Sequence, residues 1–352
     1  MWGDFSPKMG VRCAVFMSLR ALTCPSCGAP LPSNARRAVV ICPFCKATVS
    51  DDGPVVFADS FRKALADLDA NDGDPRPKVR VAGLPYRLLG RVAQGESTDV
   101  FLAERARPLT ERVVLKVLRN PADQDLIDRE HRALSALHEK EDAGAIQFAR
   151  RLPSPVARGR VEGTDRQALI HRAPSGFVHT FDDVTRAYPR GLDGVHAVWM
   201  WRRILELLGW VHSVGYVHGA VLPQHCLVHA RDHGVMLVGW SCARPASDRA
   251  PLPVFKENSR DGYPEELLRG EPPSPATDLA MTARSVGRLL GKASWGWSGS
   301  VPGEISALVD ACSEARTLPT KDAWEMKRLV GEAAYQAYGP PRFHRFRMPD
   351  SG

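Results

Sequence analysis

The strongest constraint on the fold is a fixed order of short elements between Val198 and Asp278. From Val198 to His212, with Trp201, Ile204, Leu205, Leu208 and Val211, apolar residues recur at helical spacing, and Ser213-Val214-Gly215 ends the run. Next comes Val217-His218-Gly219-Ala220-Val221-Leu222-Pro223-Gln224-His225-Cys226-Leu227-Val228, a turn-rich loop running into a short apolar strand. His233-Gly234 reads as a tight hairpin turn before the strand Val235-Met236-Leu237-Val238, which leads into Gly239-Trp240-Ser241. Gly262-Tyr263-Pro264-Glu265-Glu266-Leu267-Leu268 and Pro273-Ser274-Pro275-Ala276-Thr277-Asp278 follow, the latter a helix start.

A second ordered set lies upstream. Leu88 to Ala103 reads as two strands around a turn containing Gly95. Val113-Val114-Leu115-Lys116-Val117-Leu118 is a buried-looking strand with one Lys, and Ile127 to Leu137 is helical by period and carries Glu130. A Lys between apolar residues is often a snorkelling surface side chain, but a Glu on the next helix offers it a buried partner.

Together these motifs resemble the eukaryotic-type Ser/Thr protein kinase family as found in bacteria, over about residues 84–338. The resemblance is closest in the catalytic and activation segments and looser between 140 and 195. It implies an α+β, two-lobed fold with a nucleotide-sized cleft near Lys116 and a hinge around Ile170-His171-Arg172-Ala173-Pro174. It also implies a Lys116–Glu130 ion pair, a glycine-loop set of Ala93, Gly95 and Thr98, and an Asp278 that holds loop amides. Against the H-R-D-x-K-P-x-N pattern, Ala220 replaces the proton-accepting Asp, Leu222 the phosphate-contacting Lys and His225 the metal-binding Asn. Gly239 replaces the metal-binding Asp of D-F-G, and Gly219 replaces the Arg that reads a phosphorylated activation loop. Leu318-Pro319 stands where an Arg-Pro would pair with Glu265, leaving Arg316 as the substitute.

The substitutions matter through charge. Phosphoryl transfer is largely positioning and electrostatic stabilisation by metal ions and cationic side chains. Losing a general base costs ~10²–10⁴-fold. An imidazole at 225 is a poor ligand for Mg²⁺, which selects oxygen. The chain therefore reads as a degenerate, pseudokinase-type member with no intact catalytic residue, weak ATP binding and no Mg²⁺ clamp. His218 reads as a structural histidine and Trp240 as core packing. Asp232 falls on the hairpin turn, away from the cleft.

Cys24-Pro25-Ser26-Cys27 and Cys42-Pro43-Phe44-Cys45 form two C-x₂-C pairs separated by 14 residues. Two such pairs complete a tetrahedral four-thiolate shell suited to structural Zn²⁺, so residues 23–50 read as a zinc ribbon. Disulfides or redox pairs are the rival reading, but no β-α-β pattern surrounds the motifs. Cys13, Cys226, Cys242 and Cys312 lie singly among apolar residues and read as buried thiols.

The remaining boundaries follow from composition. Residues 1–22 are an N-terminal extension, with Met1 and Met17 both candidate starts, and 51–83 an amphipathic segment and linker. Within the latter, Phe57, Phe61, Leu65 and Leu68 have helical spacing. Residues 339–352 form a tail outside the kinase-like region, and Arg244 to Asp261, rich in Pro and polar residues, reads as a mobile activation segment. No run of apolar residues is long enough to span a membrane, and the 11–20 stretch is too short and too interrupted by Arg for a secretory signal, which predicts a cytoplasmic protein. The net charge of +7 on 352 residues permits an anionic partner without demanding one.

Three functional classes follow: a pseudokinase scaffold or allosteric regulator with the ribbon docking a protein partner; an atypical active kinase; and a ribbon-led nucleic-acid-binding regulator. The third has least behind it, because Arg36, Arg37 and Lys46 lack interleaved aromatics.

Overall fold

The computed structural model describes Cys24, Cys27, Ala29, residues 39–46, 48–50 and 76–349, except 96, 106–109, 294–295 and 299. The N-terminal extension, the helical spacing at Phe57–Leu68 and the basic pair Arg36-Arg37 lie outside the described residues. The chain divides into two units between Pro75 and Arg76. In the first, β1 (Val39–Ile41) and β2 (Thr48–Ser50) pair antiparallel, Ile41 opposite Thr48, around the second C-x₂-C turn.

The second unit has two lobes. Its first is an antiparallel six-stranded sheet in the order β3-β4-β5-β6-β8-β7. The strands are β3 (Lys78–Val81), β4 (Leu84–Gln94), β5 (Thr98–Arg105), β6 (Glu111–Leu118), β7 (Pro155–Arg160) and β8 (Gln167–Arg172). Alternation puts Val113, Leu115 and Val117 on one face of β6, where they are buried with Val81, Tyr86, Ala103, Ala168 and Ile170. Helix α1 (Gln124–His138) presents Ile127 to Leu118 and Leu169, and this small cluster fixes the helix beside the sheet. Strand β3 pairs with β4 from Lys78 opposite Arg87 to Val81 opposite Leu84, so the sheet starts inside the segment read as linker. The polar alternation of Lys-Val-Arg-Val had hidden a half-buried edge strand.

The second lobe is mainly helical: α2 (Ala145–Ala149), α3 (Phe181–Ala187), α4 (Gly194–Ser213), α5 (Glu265–Leu268), α6 (Pro275–Leu289), α7 (Gly303–Ala311) and α8 (Ala323–Tyr338). Asp193 caps α4 by accepting from the Val195 amide at 3.1 Å. Its apolar residues, including Met200, Trp201, Ile204, Leu205, Leu207 and Leu208, are buried in one large core. Each such side chain contributes about 1.5–3 kcal/mol. A capping box between Ser274 and Thr277, with Pro275 in the first turn, starts α6 and is worth about 1 kcal/mol. Two small sheets cross this lobe, β12-β11-β9 and β10-β13, formed by β9 (Phe177–Thr180), β10 (Tyr216–Val217), β11 (Cys226–His229), β12 (Gly234–Leu237) and β13 (Arg244–Pro245).

Three expectations change here. The 339–352 tail is packed on the second lobe as far as its described residues go: Phe346 is buried in the large core, and the Tyr188 hydroxyl donates to the Arg347 carbonyl at 2.6 Å. His233 is sandwiched between Trp199 and Phe343, with ring centroids at 4.3 and 4.5 Å. Two aromatics three apart in a short stretch broken by Pro and Arg are too few to announce an element, so docking of this tail was not legible in local pattern. The activation segment is tied down by Arg244, itself buried, whose guanidinium donates to the carbonyls of Ala250 at 2.7 Å and Pro251 at 3.1 Å. Arg316 meets Glu266 rather than Glu265: its backbone amide donates to Glu266 Oε1 at 3.1 Å, while Glu265 lies exposed and pairs with Arg269. Glu266 is the buried member of the pair, so the turn of α5 selects it.

No helix among the described residues is long and apolar enough to cross a membrane.

Candidate functional site

The cleft between the two lobes has a charged upper wall and an apolar lower one. On the upper wall, β6 delivers Lys116 and α1 delivers Glu130, and the ammonium donates directly to Glu130 Oε2. Glu130 is fully buried. Burial is the largest single influence and pushes its carboxyl up, but the Lys116 charge and hydrogen bond, together with His171 and His225, hold it below the usual carboxylate range. His171, at the end of β8, lies 4.0 Å from Glu130 Oε1. Burial drives its imidazole down to about 4, so it is neutral near pH 7. The sequence had grouped His171 with the hinge; only the pairing of β6 with β8, Lys116 opposite Leu169, brings it to Glu130.

The β4–β5 hairpin roofs the cleft. Ala93 pairs with Val100, and the Gly95 amide donates to the Thr98 carbonyl at 2.7 Å, closing a short turn. Thr98, at the third glycine position, keeps its hydroxyl against the turn, 3.6 Å from where a Gly95 methyl would sit.

The lower wall is the loop from His218 to His225. Asp278 reaches it from α6 and accepts from the His218 and Gly219 amides, each at 2.8 Å, and from His212 Nε2 at 3.0 Å. Asp278 thus holds the loop amides as the resemblance implied, while the capping of α6 falls to Ser274. His218 donates from Nε2 to the Val238 carbonyl at 3.1 Å and accepts at Nδ1 from the Ala220 amide at 3.2 Å, which fixes a neutral, structural ring. Ala220 and Leu222 are buried in the large core.

His225 stands where a metal ligand would be expected. Its Nδ1–H donates to the Ala220 carbonyl at 2.8 Å, and burial drives the ring down to about 3. The ring packs against Gly239: a Cβ built there would lie 2.6 Å from Nε2. Gly239 also has φ +78°, a left-handed conformation that disfavours any side chain. The imidazole therefore fills the space that an Asp at 239 would need, and the two substitutions fit each other. Trp240 follows, fully buried, its indole donating to the Leu237 carbonyl at 2.9 Å. A neutral imidazole beside a glycine is a donor set that does not fit Mg²⁺.

At the hinge, two backbone positions have no N–H to offer a base edge. The Ala173 amide donates to the Arg112 carbonyl at 3.1 Å, and Pro174 has no N–H.

Sequence reasoning missed Lys256. It lies in the activation segment, where its backbone amide donates to the Tyr263 hydroxyl at 3.2 Å. Its Nζ lies 4.0 Å from the position of a methyl group on Gly95. No local pattern marks it, because its place depends on how the segment folds back under the hairpin.

In the first unit, the four cysteine sulfurs of 24, 27, 42 and 45 all lie within 4.8 Å of one another. Cys24–Cys45 and Cys27–Cys42 are separated by 3.6 and 3.7 Å, and none forms a disulfide. A tetrahedral zinc with bonds of about 2.3 Å needs sulfur–sulfur edges of about 3.8 Å. The turn after Cys45 uses Lys46 at φ 62°, whose amide donates to the Cys42 carbonyl at 3.0 Å. The donor set fits a zinc ion, which would hold this small hairpin together.

The arrangement of six-stranded sheet, paired Lys and Glu, Asp-held loop and capped α6 is that of a protein-kinase-like fold. The solved structure of vaccinia related kinase 3 superposes with a TM-score of 0.55 at 14% identity, covering 74% of this chain and 91% of that chain. At that identity the likeness establishes the fold alone. No protein-family model matches the chain, and a search of curated proteins finds no match.

Proposed function

We propose that this chain is a catalytically silent member of the kinase fold that acts by binding, as a signalling scaffold or allosteric regulator in the cytoplasm, with a structural Zn²⁺ in its N-terminal ribbon and a protein partner docked there. One observation carries the silence: the His225 ring fills the space that a side chain at 239 would need, so neither of these two positions offers a carboxylate or amide to hold a metal against a triphosphate. With Ala220 and Leu222 in place of the base and the phosphate-contacting Lys, no carboxylate stands at the base position, and His225, driven down to about 3, is too weak a base to replace it. The retained Lys116–Glu130 pair supports weak nucleotide binding, which would bias lobe closure.

The same pair favours a second reading, an atypical active kinase, and one experiment separates them. Purified protein is incubated with ATP and Mg²⁺ or Mn²⁺ and a generic Ser/Thr substrate, beside Lys116→Ala. Transfer absent from both supports the silent reading; transfer that disappears in Lys116→Ala, under conditions where circular dichroism shows the variant folded, establishes the active one. For the ribbon, elemental analysis should find one zinc per chain, reduced in Cys24→Ser and in Cys42→Ser. Full occupancy in both variants would remove zinc from this site.

A further inference from the structure

Lys256 has no role in the kinase resemblance, yet it is half-buried and directed at the roof of the cleft. Its placement is fixed from three sides. Phe255 packs edge-on to Tyr263 with ring centroids at 5.2 Å, the Lys256 amide donates to the Tyr263 hydroxyl at 3.2 Å, and the Lys256 carbonyl accepts from Ser259 at 2.9 Å. The side chain then rises to Gly95, where Nζ would sit 4.0 Å from a methyl group on that residue. The positive charges of Lys256 and Lys116 both bear on His225, and they help keep its imidazole neutral after burial has done most of that. Lys116 lies opposite Val100 on the strand beside the Gly95–Thr98 turn, and Lys256 Nζ lies against that same turn, so both ammonium groups stand at one hairpin. Opposite them, Glu130 is committed to Lys116, and Lys256 has no acidic partner among the described residues.

From this geometry we propose that Lys256 is the cleft's built-in counter-cation: with Lys116 it forms a polyphosphate site under Gly95 that takes the phosphates of a nucleoside triphosphate without a divalent metal. This rests on the reading of the cleft as a nucleotide site and specifies what holds the ligand there. A metal normally neutralises the phosphates from the floor of such a cleft. Here the floor cannot hold one, and an ammonium delivered by the activation segment supplies positive charge from the side. Ammonium groups bind phosphate as point charges and need no particular base. At the hinge, neither Ala173 nor Pro174 offers an N–H to a base edge. Recognition therefore falls on the phosphates, and the ligand class is a polyphosphate, free or carried by a nucleoside.

The test measures binding of ATP, GTP, tripolyphosphate and adenosine by calorimetry and thermal shift, in EDTA and in excess MgCl₂. It uses the full chain, Lys256→Gln and Lys256→Arg. Wild-type protein should bind ATP and GTP alike in EDTA, and adenosine should not bind. Excess Mg²⁺ should leave affinity unchanged or lower it, because the metal cancels charge the lysines would meet. Lys256→Gln should bind about ten- to a hundredfold more weakly with its ligand-free melting temperature unchanged, and Lys256→Arg should retain binding. Tripolyphosphate binding as well as ATP makes the phosphate chain sufficient; ATP without tripolyphosphate, with the same Lys256→Gln loss, assigns the site to nucleotides. If Lys256→Gln binds like wild type, or if binding requires Mg²⁺, the role of Lys256 is wrong while the nucleotide reading stands. If adenosine competes with ATP and tripolyphosphate does not bind, the phosphate-first recognition is likewise wrong. If no ligand binds wild-type protein under either condition, both readings fall together.

Discussion

The two walls of the cleft are built from different chemistry. The upper wall carries a buried ion pair on a strand and a helix, whereas the lower wall is a loop held by Asp278 whose Ala220 and Leu222 pack into the core. The difference lies in what each group does for the fold. Lys116 and Glu130 hold α1 against the sheet, and either would be a buried charge without the other. Ala220 and Leu222 bury apolar surface in the large core, and the neutral, partly buried His225 bonds the Ala220 carbonyl. Asp278, which the floor needs for its backbone, is still there.

The largest effect should come from breaking the upper wall. Lys116→Ala leaves Glu130 buried and unpaired, and should destabilise the protein by about 3–5 kcal/mol in denaturant unfolding. Lys116→Met with Glu130→Gln should recover most of that. A loss below 1 kcal/mol in the single variant would show that the pair does not hold the wall.

Next in size is Gly239→Asp, which drives a side chain into His225 at a left-handed backbone position and should cost about 3 kcal/mol. His225→Asn in the same chain clears the space, and the double variant should show a favourable coupling of about 2 kcal/mol. Strict additivity would mean that the two substitutions are independent, and the argument for a closed floor would fail.

The smallest effect is graded with pH. His225 and His171 are held in the fold at about 3 and about 4, below the ordinary imidazole value of roughly 6.5. Between those limits the unfolded chain binds more protons than the folded one, so stability is full above pH 6.5 and falls as the pH drops below it. Each ring contributes a slope of up to about 1.4 kcal/mol per pH unit. His225→Asn should reduce that slope between pH 6 and 4.5 by about one ring's share. An unchanged slope would mean that His225 titrates as if exposed. Below about pH 4.5 the Glu130 carboxylate adds a separate loss, since its folded value is depressed and its stabilisation disappears with protonation.

Much of this architecture could be read from local pattern. The helical period of Val198–His212, the single Lys in an apolar strand, the cap before Asp278 and the two C-x₂-C turns each act within a few residues of themselves. Among the described residues, the helices and strands they announce and the second C-x₂-C turn are present where expected. What was not legible depends on contacts between distant segments. The docking of Phe346 needs the groove made by Tyr188, His196 and Trp199. The exchange of Glu265 for Glu266 as the partner of Arg316 depends on which side of a short helical turn faces inward. His171 and Lys256 become cleft residues only because a sheet register and a folded-back segment bring them there.

From the chain alone came the fold class and the identities of the missing groups, because a side chain's donor atoms are fixed by its chemistry wherever it lies. Tertiary structure decided what fills the space they left: a neutral imidazole locked against a glycine on the floor, and an ammonium brought in from the side. Distances between residues far apart in sequence are set by packing, and it is distance that determines whether two charges act on the same ligand.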